Sequence, residues 1–146
     1  MTAPMRVAVV TKSVERYDAV SIDALMMAQV LRESGHEAQT YAELPGVDEA
    51  LPLARLTTRP DLLIYHHSIG CEPGVALMEQ LDCAKMVKWH NITPREYFAH
   101  LPTLQQWIDE GRAQLTRLKP FRTYSDSDWN RREIGHGEVL PPFMQV

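Results

Sequence analysis

Lys88-Trp89-His90-Asn91-Ile92-Thr93-Pro94-Arg95-Glu96 decides how the rest of the chain is read. Met86, Val87 and Trp89 before and within it suit a buried strand. Thr93 suits a helix cap, Pro94 the first helical position, and Glu96 lies three residues after the cap. The stretch therefore predicts a strand that runs straight into a capped helix, with His90 and Asn91 at the strand's carboxyl end. In open α/β sheets ligands bind at that end.

Working outward, apolar runs alternate with longer amphipathic segments. Val7–Val10 reads as a first strand, and Ser21 caps a helix to Ser34. Asp23 lies in that helix's first turn, and Gly35 stops it. Ala38–Ala42 is a short strand, and 47–56 a weak helix broken by Pro52. Asp61–His67 has a nearly continuous apolar body, as a strand covered on both faces should. A helix over 73–81, a strand over 84–89 and a helix or helical pair from Pro94 to about Lys119 follow. Gly111 lies on the apolar stripe of that last segment, where a neighbour can approach closely. A strand over 121–125, a short helix over 127–134 and a strand over 138–140 complete the pattern. The alternation predicts an α/β fold with a Rossmann-like, doubly wound, mostly parallel sheet of about six strands, helices on both faces.

Composition sets bounds. The 146 residues suit one domain, and 45% hydrophobic with 23% charged residues is ordinary for a globular protein. The net charge of −4 does not point to nucleic acid. Two cysteines without metal or redox spacing suit a reduced, cytoplasmic setting. No apolar run approaches the roughly 20 residues a transmembrane helix needs, and no signal peptide precedes the first strand.

Parallel strands bring four segments to one edge: Lys12 to Asp18, His66-His67-Ser68, His90-Asn91 and Ser125-Asp126-Ser127. Imidazoles, hydroxyls, an amide and carboxylates around a crevice suit a sugar, whose hydroxyls donate and accept. The candidate binding residues are Asp18, His66, His67, His90, Asn91 and Ser125. Adjacent strand residues face opposite ways, so one of His66 and His67 points into the crevice. Asp18 either binds ligand or caps a helix, and Ser125 and Ser127 either touch ligand or cap. His36, His100 and His136 read as structural. No G-x-G-x-x-G, P-loop or G-x-S-x-G is present, and the histidines have no metal-ligand spacing, so neither cofactor nor metal is implied.

The chain resembles the N-terminal domain of the retaining glycosyltransferases of family 4, which have the two-domain GT-B fold. The matching segments are Asp18-Ala19-Val20-Ser21, Leu31-Arg32-Glu33-Ser34-Gly35-His36 and Asp61 to Gly70. Trp89 to Pro94, Gly111-Arg112, Ser125-Asp126-Ser127 with Asn130, and Val139-Leu140-Pro141-Pro142 continue the order. The resemblance implies an acceptor-binding domain over 1–140 and the start of an interdomain linker over 141–146, the donor-binding domain being absent. It implies that His66 or His67 lines the cleft near the transferred sugar and that His90 and Asn91 form the acceptor side, with Asp18 as a contact. Thr11-Lys12-Ser13-Val14 stands where the family has a glycine-rich loop, which removes donor-phosphate contacts there. The expected partner is a sugar or glycosylated acceptor. The domain is either a piece of a longer transferase or a separately encoded half, and in the second case a separate chain carries the donor domain. The expected function is the acceptor half of a sugar-nucleotide-dependent hexosyltransferase, inactive alone. The alternatives are a non-catalytic carbohydrate-binding or regulatory module, and a small α/β enzyme using His67 and His90 as acid and base.

Overall fold

The computed structural model describes residues 3–143. Its strands are β1 (Arg6–Val14), β2 (Glu37–Pro45), β3 (Ala50–Pro52), β4 (Leu62–His67), β5 (Ala84–Trp89), β6 (Arg122–Ser125) and β7 (Glu138–Val139). Its helices are α1 (Ala19–Glu33), α2 (Glu72–Gln80), α3 (Pro102–Leu118) and α4 (Asp128–Ile134). The strands form one sheet of seven in the order β3-β2-β1-β4-β5-β6-β7, every pair parallel. The order reverses beside β1, so the β1–α1 and β4–α2 connections leave on opposite sides of the sheet. A crevice opens at such a switch point.

Helices cover both faces, as the apolar strands require. Val7, Val9 and Ile64 pack on Ala24, Met27 and Ala28 of α1. Ala8, Val10, Leu63, Tyr65 and Val87 face Val75 and Met78 of α2 and Leu118 of α3. A third cluster, Trp89, Ile92 and Ile108, joins the end of β5 to α3. After β7 the chain returns to the α1 face, where Leu140 and Phe143 pack on the first cluster. Residues 144–146 of the expected linker lie outside the described residues.

Four expectations are corrected. Among the described residues the sheet has seven strands where about six were expected, because the helix expected over 47–56 does not form. Ala50–Pro52 pairs with β2 as an edge strand and Leu53–Arg55 is a single 3₁₀ turn. Pro52 ends that strand without loss, since an edge leaves its missing N–H unneeded. Helix α1 starts earlier than Ser21: Asp18 is the cap, and its Oδ2 accepts the Ser21 amide at 3.0 Å. Asp23 thus lies past the first turn and is fully buried. The capping box at Thr93 does not form. Residues 90–94 are extended loop, Arg95–Phe98 is a 3₁₀ turn, and α3 begins at Pro102. Pro94 is extended, with ψ of 136°, and a helix cannot pass through it. The expected helical pair is therefore a 3₁₀ turn followed by α3.

Gly111 does admit a close neighbour. A Cβ there would meet the Ser68 carbonyl oxygen at 2.8 Å and the Gly70 nitrogen at 3.0 Å. Gly35, with φ of +95°, follows the last turn of α1 in a conformation that side chains disfavour. The helix stops there as expected.

Candidate functional site

The carboxyl ends of β1, β4 and β5 surround a cavity of about 260 Å³. Thr11, Lys12, Ser13, Glu15, Asp18, Ser68, Asn91 and Thr93 supply its polar lining, and Val20, Ile69, Ile92, Phe98, Leu104 and Ile108 its apolar wall. Two of the expected site residues, Asp18 and Asn91, are exposed and line this crevice. Asp18 also holds Ser21 through the amide and the hydroxyl, at 3.0 and 2.6 Å. It braces the β1–α1 loop from within the crevice wall.

His66 and His90 lie under the crevice, 1% and 3% exposed. They belong to a buried charged cluster. His66 Nδ1 is 2.8 Å from His90 Nε2, and the rings stack. Asp23 Oδ2 is 3.6 Å from the first and 3.4 Å from the second of those nitrogens. Lys88, 1% exposed, donates to Asp23 Oδ2 at 2.8 Å, and its Nζ lies 3.2 Å from Asp126 Oδ1. His90 Nδ1 is 2.6 Å from Asp126 Oδ2. Parallel register places His66 opposite Lys88 on adjoining strands, and Asp23 descends from α1 above them. Burial alone would push Asp126 up, but the hydrogen bond and charge of His90, with Lys88 beside it, hold it below the usual range. Burial, then the charges of His90 and Lys88, push His66 well down, so it is neutral at pH 7.

Asp23, His66 and His90 each offer one ligand atom, all within 4.8 Å of one another. A metal does not fit this set as it stands. Lys88 already supplies the compensating positive charge on Asp23, and the two histidines bond directly to each other.

His67 goes the other way, as strand alternation requires. It is fully buried between Tyr65, Trp89 and α3. Its Nε2 is 2.8 Å from the Gly111 carbonyl, an acceptor, so that nitrogen carries the proton. Nδ1 then accepts from the Tyr65 hydroxyl at 2.9 Å. Neutral His67 is thereby satisfied on both sides and ties β4 to α3. His67 bonds to Tyr65 and Gly111 and His90 to His66 and Asp126, so the two histidines share no hydrogen bond among the described residues. Ser125 is fully buried at the end of β6, and Ser127 caps α4 through the Asn130 amide. Cys71 offers no nucleophile: burial pushes its thiol up to about 12.

Asp23 and Lys88 were not singled out by sequence. The signal existed for Lys88. A charge inside a strand covered on both faces must find a buried partner. Nothing local identifies Asp23 as that partner, because 65 residues separate them.

A second cavity, about 570 Å³, lies beyond the loop that carries Asn91. It shares Asn91 and Ile92 with the first and is closed by α4, with Trp129 exposed at its edge.

No family model and no curated protein matches the chain. Among solved structures, the chain is similar to an α-glucosyltransferase determined in complex with UDP-glucose and DNA containing an abasic site. The TM-score is 0.60 at 14% identity, over 97% of this chain and 42% of that one. This likeness is one of fold. The chain is a Rossmann-like α/β domain, consistent with one half of a GT-B architecture, and it spans less than half of its neighbour's length.

Proposed function

We propose that this chain is the acceptor-binding domain of a sugar-nucleotide-dependent glycosyltransferase, with the carboxyl edge of its sheet as one wall of the transfer cleft. The retaining, family 4 assignment belongs to the proposal and rests on the Tyr65 to Gly70 and His90 to Pro94 segments. One observation carries the reading. All six large apolar residues exposed among those described, Tyr17, Leu44, Tyr97, Leu101, Trp129 and Val139, lie in the last two residues of a strand or in the connection or first helical turn that follows a strand's carboxyl end. The same edge holds the polar crevice. Exposed aromatic groups beside convergent hydrogen-bonding groups mark a surface that receives something.

The division of labour follows from chemistry. Transfer from a sugar nucleotide leaves a phosphate whose developing charge must be stabilised. Lys12, the one lysine lining the crevice, is paired with Glu43 at 2.9 Å and lies over the Trp107 ring at 4.6 Å. The donor and its leaving group are therefore assigned to another domain or chain, and this domain supplies positioning. The buried cluster holds the His90-Asn91 strand end rigid, so that Asn91 meets the acceptor at a fixed height. A non-catalytic carbohydrate-binding role is the second reading, favoured by the burial of His66, His67 and His90.

Calorimetry with UDP-glucose and screening of the labelled chain on a glycan array test the first reading. Binding to a defined glycan class and no binding of UDP-glucose are expected. Tight nucleotide binding, or transfer by the purified chain alone, would overturn it.

A further inference from the structure

We propose that the groove between the Asn91–Pro94 loop and α4 is a second sugar subsite, so that the acceptor is a saccharide of at least two rings. The inference rests on the acceptor-side reading and names the substrate class of that site.

The groove has the chemistry a pyranose needs. One face of such a ring is C–H and lies well on an indole, while its rim of hydroxyls needs partners that donate and accept. Trp129 is 77% exposed at the start of α4, with Pro94 and Ile92 opposite it. An exposed tryptophan is costly to leave in water, and this one belongs to none of the apolar clusters among the described residues. The polar partners converge on the same space. The Asn91 amide makes no side-chain hydrogen bond among the described residues and offers both a donor and an acceptor. Arg112 spends one nitrogen on the Ile92 carbonyl at 3.2 Å and keeps the others, its Nη1 lying 3.9 Å from Glu133. Glu133 adds an acceptor at the rim.

The two cavities share Asn91 and Ile92, so they are neighbouring compartments either side of one loop. The inner one, about 260 Å³, is small beside the roughly 300–1,000 Å³ of ligand pockets. The outer one, about 570 Å³, brings the pair into that range. Asn91 stands between them and can bond the hydroxyls of both rings, or the glycosidic oxygen that joins them. A nucleic-acid strand is the wrong occupant. Arg112 and Arg132 line the groove with Glu133, but each arginine has a carboxylate beside it, Glu133 at 3.9 Å and Asp128 at 2.8 Å, so the balanced charge favours a neutral saccharide over a phosphate backbone.

The test uses the 146-residue chain, calorimetry and tryptophan fluorescence, the Trp129 variants separating its emission from that of Trp89 and Trp107. The probes are glucose, galactose, mannose and N-acetylglucosamine, together with maltose, cellobiose, lactose, mannobiose and chitobiose, with longer glycans chosen from the array. At least one di- or oligosaccharide is expected to bind about tenfold or more tighter than its monosaccharide and to change the Trp129 emission. Trp129→Ala should remove that gain together with the change in emission, and Trp129→Phe should keep part of the gain. Trp129 is a surface residue, so an unchanged thermal melt establishes that each variant is folded. Equal affinity for one ring and for two, or a gain that survives Trp129→Ala, would overturn the second subsite while leaving the acceptor-side reading intact. No binding to any saccharide would overturn both.

Discussion

Lys88 occupies a place that its residue type almost never takes: the interior of a parallel sheet, beneath a helix. Two carboxylates and two imidazoles surround it, so the charge is buried but not alone. Removing one partner of such a set leaves the others uncompensated. Lys88→Met is expected to lose about 3–5 kcal/mol in urea unfolding. Lys88→Met combined with Asp23→Asn should lose less than the sum of the two single losses, because the stranded carboxylate is gone. Additive losses would show that the two residues are not coupled. His67 makes a second prediction. Burial lowers its pKa to about 4, against the raising effect of the Gly111 carbonyl. In the unfolded chain it titrates near 6.5. Between these values the unfolded chain binds more protons, so stability is full above about pH 6.5 and falls as pH drops towards 4. The total from this group is about 3 kcal/mol. His66 pushes in the same direction. His67→Gln should therefore show a shallower loss of unfolding free energy between pH 7 and pH 4.5. A slope equal to that of the parent would contradict the assignment. At this scale the sequence was only partly legible. The strand end at His90 and Asn91 could be read from local pattern. The pairing of Asp23 with Lys88 depends on a helix and a strand that only the finished sheet brings together.

Helix α1 shows how an element serves the crevice. Its cap is Asp18 and its inner face carries Asp23, so one helix fixes the β1–α1 loop and anchors the charged cluster. Asp18→Ala should cost about 1 kcal/mol, the ordinary value of a lost N-cap, measured by chemical denaturation. If Asp18 also touches acceptor, its glycan affinity should fall further than a loosened loop explains, and Asp18→Asn should restore stability more than affinity. At α3 the close approach at Gly111 sets the spacing to the Ser68-Ile69-Gly70 turn. Gly111→Ala drives a methyl into fixed backbone and is expected to destabilise by about 1–3 kcal/mol. Elements were read well where periodicity carried them. β4 and β5 were found with their ends nearly in place, because continuous apolar runs leave little choice. The Thr93 cap failed because a capping motif is only a few residues long. Ile92 buries itself against Ile108 and Trp89, and that packing pulls the loop away from helical geometry. Strand β3 was hidden for a similar reason. Three residues carry no period, and only β2 beside them makes them a strand.

For the whole molecule, seven parallel strands collect the crevice, the buried cluster and, among the described residues, the large exposed apolar side chains towards one edge. The chain after β7 crosses back to α1, where the Phe143 amide donates to Asp23 Oδ1 at 2.7 Å. The segment that leaves the sheet is thus tied to the carboxylate that also holds Lys88. Fold class was legible because buried strands alternating with helices admit few topologies. The location of a site followed from the fold. Which side chains face it did not, because a single residue of register decides whether an imidazole meets solvent or core. The central claim is that the carboxyl edge receives a sugar acceptor and leaves the nucleotide to another domain. Amide chemical-shift mapping of the isotopically labelled chain tests this most directly, with an array-selected glycan and UDP-glucose added in separate titrations. The account predicts glycan-induced shifts at Asp18, Ser68, Asn91 and Trp129, and none with UDP-glucose. Shifts from UDP-glucose at those residues, or glycan shifts confined to the opposite edge of the sheet, would contradict it.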